Sequence, residues 1–137
     1  MKLYVQEPGT DWLLSLISDR PENRFAVLAL AAVEIRSAIR RRQRDGDIDD
    51  EVAATILENV QSHIESRYIR QPVNETVIDT ALELIDRYAL RAYDAVQLAG
   101  CLALHAITPG AFTFVCSDHR LLEAARSEQL MVLDPTA

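Results

Sequence analysis

At 137 residues the chain is long enough for one compact domain with a real core, and 49% apolar with 26% charged residues excludes a disordered or fibrous composition. A formal net charge of −7 excludes a broad basic surface of the kind that neutralises a nucleic-acid backbone. No apolar run reaches the roughly 18 residues needed to cross a membrane, and the start, Met1 to Gly9, has no apolar signal core, so a cytoplasmic protein is expected.

Thr10-Asp11 opens a short predicted helix to about Ser18. The dense apolar run Phe25 to Leu30 reads as a buried strand, followed by a helix from about Ala31 to Arg44 that Asp45-Gly46-Asp47 stops. Asp49-Asp50 cap the next helix, to about Arg67. Tyr68 to Val73 is a brief strand limited by Pro72. Asn74 is a good N-cap for a helix to Tyr88, and another helix runs from about Arg91 to Leu104. Thr108-Pro109-Gly110 is a turn, Phe112 to Cys116 a strand, Ser117-Asp118 the start of a helix to Ser127, and Leu130 to Leu133 a last strand. Strands alternating with helices predict one α/β domain over residues 1–137, without repeats or linkers. Cys101 and Cys116 have no metal-type spacing and are expected as reduced thiols.

Three acids sit in apolar company. Glu34 lies between Ala31-Ala32-Val33 and Ile35, and Asp94 lies in Leu90-Arg91-Ala92-Tyr93-Asp94-Ala95-Val96-Gln97-Leu98-Ala99, a helix apolar on nearly every side. A carboxylate there is costly unless a cation or hydrogen bonds compensate it; a divalent metal serves, and so does Arg36 or Arg91. Asp118 follows directly after a predicted strand, where open parallel sheets bind ligands. An ordinary N-cap explains it equally, and one carboxylate can do both.

Of 14 basic residues only Lys2 is a lysine, and Arg40, Arg41, Arg42 and Arg44 form a run. That run is either a solvated helix end, where cations are favoured, or a contact for RNA phosphates, which arginine binds bidentately. His63, His105 and His119 are scattered without ligand spacing, and Ser117 lacks the flanking glycines of a nucleophile elbow. Trp12 and the tyrosines read as core and rim rather than a base-stacking platform.

Four segments, in order and spanning essentially the whole chain, resemble PIN domains of the VapC toxin family. Lys2-Leu3-Tyr4-Val5-Gln6-Glu7-Pro8-Gly9 is similar to the segment after the family's first catalytic aspartate, and Ala32-Val33-Glu34-Ile35-Arg36-Ser37-Ala38 to the segment with its glutamate. Leu90 to Ala99 is similar to its most recognisable motif, in which the aspartate follows Leu-Arg-x-x. Phe114-Val115-Cys116-Ser117-Asp118-His119-Arg120-Leu121-Leu122-Glu123-Ala124-Ala125 resembles the segment with its last acidic position.

The resemblance implies a three-layer sandwich with a central parallel sheet flanked by helices. It also implies metal-assisted hydrolysis of RNA, with Mg²⁺ or Mn²⁺ held by Glu34, Asp94 and Asp118 and with Ser117 orienting them. Their carboxyl carbons are then expected within about 8 Å of one another, as shared ligation of a small cation requires. A VapB-like antitoxin and a second copy of the chain are the implied partners, and no membrane is.

Family members begin with a short apolar strand ending in Asp-(Ser/Thr), and this chain starts about one helical turn beyond it. The resemblance therefore implies weak or absent cleavage by the chain as it stands. Either upstream codons supply the strand and its aspartate, or the chain is a non-catalytic relative that binds an antitoxin or its own copy.

Overall fold

The computed structural model describes residues 25–66 and 68–136. The helix expected over residues 10–18 and the helix end around Leu3 to Val5 lie outside the described residues. The described chain forms two compact units, one ending at Arg70 and the other beginning at Gln71.

In the first unit the order is β1 (Phe25–Leu28), α1 (Ala31–Arg44), α2 (Asp50–Ser66) and β2 (Tyr68–Gln71). β1 is two residues shorter than its apolar run, because Leu30 turns into the helical region (φ −69°, ψ −13°) as the N-cap of α1. Gly46 supplies the left-handed φ of 81° in the turn after α1, as the Asp-Gly-Asp stop predicts. Asp49 caps α2: its Oδ1 accepts from Val52 N at 2.8 Å. β2 pairs with β1 and ends at Gln71, since Pro72 has no N–H to donate. The small core joins Ile39 of α1 to Ala53 and Leu57 of α2, with Ile35, Ile48 and Ile56 packed against it.

The second unit runs α3 (Glu75–Tyr88), α4 (Ala92–Ile107), β3 (Thr113–Val115), α5 (His119–Ser127) and β4 (Met131–Leu133). Asn74 caps α3 as expected, its Oδ1 accepting from Val77 N at 3.0 Å. α4 starts one residue later than expected and runs three residues further, until Thr108-Pro109 ends it. β3 and β4 are parallel, with Thr113 opposite Met131 and Val115 opposite Leu133. α3, α4 and α5 bury Val77, Leu84, Ala95, Leu98, Leu121 and Ala125 in one core that reaches Phe114 and Leu130. Tyr88 OH donates to Glu128 Oε1 at 3.1 Å, and Arg87 pairs with the same carboxylate, tying the end of α3 to the C-cap of α5.

The α/β character is as expected. The described strands form two two-stranded sheets. Among the described residues no helix is long and apolar enough to cross a membrane.

Candidate acidic site at the carboxyl ends of β3 and β4

Asp118 reaches its position through β3. The strand ends at Val115, Cys116 N still donates to Leu133 O at 3.2 Å, and the chain then turns into α5. Asp118 is the N-cap of that helix, accepting from Leu121 N at 2.9 Å, so the capping role expected for it is real. The cap fixes one carboxylate oxygen at the carboxyl end of a parallel strand. Asp94 sits half-buried in the first turn of α4, where the positive end of the helix dipole favours a carboxylate.

Cys116, half-buried, lies between β3 and Asp118. Burial chiefly pushes its thiol up from 9.0 to about 11; a backbone hydrogen bond at Asp118 opposes this, and the negative charges of Asp118, Asp134 and Asp94 add to it. Asp134 is a further acid at this end of the sheet. It follows β4 as Cys116 follows β3, and only the strand register places it at the same end of the sheet.

Ser117 lies between Cys116 and Asp118, and its Oγ is buried without a hydrogen-bond partner among the described residues. Such a hydroxyl costs about 1–3 kcal/mol, which a bound water or ion relieves.

Glu34 belongs to the first unit and is exposed in the first turn of α1, contrary to the burial its apolar neighbours suggested. Helical geometry explains the difference. The buried stripe of α1 runs through Ile35 and Ile39, and Glu34 lies about 100° around the helix from Ile35. Arg36 makes no ion pair with it among the described residues.

Arg40, Arg41 and Arg44 are exposed at the end of α1, and Arg42 is half-buried. Arg40 donates to Gln43 Oε1 at 2.8 Å, and Gln43 in turn donates to Asp50 at 2.6 Å. A groove of about 630 Å³ between α1 and α2 sets Arg36 and Arg40 against Glu58 and Glu65. Its charges cancel, so it offers phosphate no net attraction.

Cys101 is also raised to about 11 by burial. A thiol raised in the fold stays neutral where the unfolded chain has already ionised. Its contribution to stability is therefore complete below about pH 9 and lost as the pH climbs to about 11. The disulfide reagent DTNB at pH 8 is expected to label both thiols at least about tenfold more slowly than in denaturant, since the thiolate is the nucleophile. Equal rates with and without denaturant would contradict the burial described.

Two curated relatives carry the name Ribonuclease VapC35, from Mycobacterium tuberculosis strains CDC 1551 / Oshkosh and ATCC 25618 / H37Rv. Each is 31% identical to this chain over 135 residues, covering 98% of the chain and 90% of the relative. No protein-family model matches the chain.

Proposed function

The chain belongs to the VapC family, and from that membership we propose that it is a divalent-metal-dependent endoribonuclease, the toxin partner of a VapB-like antitoxin. The observation that carries this reading is Asp118 at the carboxyl end of a parallel strand, beside the buried Ser117 Oγ that lacks a partner among the described residues. Glu34, Asp94 and Asp118 are the residues we assign to Mg²⁺ or Mn²⁺, with Ser117 orienting them.

The residues present suit such an ion. Carboxylate and hydroxyl oxygens are the donors hard cations take, and the buried Ser117 Oγ lacks a partner among the described residues. Among the described residues no three acidic, histidine or cysteine side chains stand close enough to cage an ion. Mg²⁺ does not require that, because it binds through one or two carboxylates and keeps several waters. When bound, the ion supplies Lewis acidity at the phosphodiester and an activated water for its hydrolysis.

The chain's own residues prepare the place for it. The Leu121 N–H holds Asp118 by one oxygen, and α4 carries Asp94 next to the buried Ala95 and one turn before the buried Leu98. We assign backbone contact with RNA to Arg40, Arg41, Arg42 and Arg44, whose guanidiniums match phosphate geometry. A PIN-like three-layer sandwich with a central parallel sheet belongs to the same proposal, supported by the alternating elements and the parallel β3–β4 pair. So do a cytoplasmic site of action and a homodimer.

The test is cleavage of total RNA by the purified chain with Mg²⁺ or Mn²⁺. Weak cutting at most is expected from the chain as it stands; any such cutting is expected to fall to background with EDTA and to return with excess Mn²⁺. Cutting that survives EDTA defeats the metal assignment. No cutting under any condition, with an antitoxin still bound, leaves the non-catalytic alternative.

A further inference from the structure

We propose that the groove between α1 and α2 is an interface between two copies of this chain, in which Arg36 and Arg40 of each copy meet Glu58 and Glu65 of the other. This rests on the homodimer of the reading above and not on its metal site.

The groove belongs to the first unit alone. Its volume is about 630 Å³, and its lining includes Arg36 and Arg40 from α1, Glu58 and Glu65 from α2, and the small or buried Ala54 and Leu57. Arg36 and Arg40 stand about one helical turn apart on one face, and Glu58 and Glu65 about two turns apart on theirs. All four are exposed. Arg40 donates to Gln43 and Glu65 accepts from Gln61, each within its own helix. Among the described residues none of the four takes part in an ion pair. Across open water such charges are worth at most about 1 kcal/mol to each other, so both rows keep their capacity for a partner.

The charge pattern selects that partner. A polyanion is drawn to the arginine wall and repelled by the glutamate wall, and a basic segment meets the reverse. A surface that suits both walls carries both signs in exchanged order. The same groove on a second copy, turned about a two-fold axis, is such a surface. The axis brings α1 of each copy to α2 of the other, so every favourable contact is made twice and the assembly closes. Stacking the copies without that rotation sets like charges together, which fixes the orientation. Val33 adds an apolar contact. It lies one turn before Arg36 on the same stripe of α1 and is 67% exposed, and a covering copy removes it from water.

The experiment is sedimentation equilibrium of the full 137-residue chain near neutral pH over a range of concentrations, beside its circular dichroism spectrum. Arg36→Glu with Arg40→Glu makes both walls acidic, and Glu58→Arg with Glu65→Arg makes both basic. The parent is expected as a dimer. Each double variant alone is expected as a folded monomer where the parent is paired, its dissociation constant raised by at least about 100-fold. Mixed in equal amounts, the two variants are expected to pair with each other, because both contacts of the mixed dimer then join opposite charges. Arg36→Gln and Glu58→Gln neutralise a charge instead of reversing it and stand in where a reversed variant fails to fold; each is expected to weaken the dimer by about tenfold. Folded variants that pair as the parent does, or that stay apart when mixed, overturn the groove as the interface and leave the homodimer to another surface. A parent chain that stays monomeric overturns the homodimer and this interface together, whatever the RNA cleavage test shows.

Discussion

Asp94→Asn is expected to lower RNA cleavage by on the order of 100-fold or more, the scale of losing one preorganised electrostatic group, with the fold intact. Asparagine has nearly the volume of aspartate, so the half-buried space in the first turn of α4 stays filled. What disappears is one negative charge in the first turn of α4. For the folded chain the loss of a dipole-favoured carboxylate costs about 0.3–1 kcal/mol. For a bound cation nothing replaces it. The measurement is the rate of cleavage of a defined RNA at saturating Mg²⁺, beside the circular dichroism spectrum and the urea midpoint. A folded variant that cuts at the parent rate removes Asp94 from the chemistry. A variant that loses rate and stability together assigns Asp94 a structural role.

Much of this arrangement is legible in the sequence, and the exceptions have physical reasons. Asn74 and Asp118 cap their helices as their residue types predict, because a short side-chain oxygen after an extended backbone meets a donor that needs it. The apolar run around Asp94 does make α4 a central helix, with Ala95, Leu98 and Ala99 buried. The same inference fails for Glu34. Apolar neighbours in sequence signal burial only when they lie on the same face, and Val33, next to Glu34, is 67% exposed.

Strand ends are less legible in the sequence than helix ends. Phe112 and Leu130 lie outside their strands, because a ladder extends only as far as its partner and the partner's length is not local information. The place of Asp134 is hidden for a related reason. In the sequence it is an acid near a terminus, and its place beside Cys116 follows from the β3–β4 register alone. Asp94 and Asp118 come from α4 and the β3–α5 turn and carry recognisable motifs. Asp134 comes from a strand end that carries none.

Leu98→Ala is expected to destabilise the chain by about 3 kcal/mol, within the range for emptying a fully buried leucine site. Leu98 is 0% exposed and sits at the centre of the core that α3, α4 and α5 share. Neighbours such as Ala95 and Ala99 have no side-chain length with which to fill the space, so the cavity persists and its cost adds to the lost transfer energy. Leu82→Ala serves as the control: that leucine is 57% exposed on α3 and should change stability by no more than about 0.5 kcal/mol. Urea unfolding followed by far-ultraviolet circular dichroism measures both. For a domain of this size a loss of about 3 kcal/mol corresponds to about 10 °C in Tm. Equal midpoints for the two variants would mean that α4 is not the buried helix described. Because Asp94 lies one helical turn from Leu98, the pair also separates two properties of α4. At Leu98 the helix holds the fold, with cleavage surviving at temperatures where the variant remains folded. At Asp94 it holds a charge, with the fold surviving the loss of cleavage.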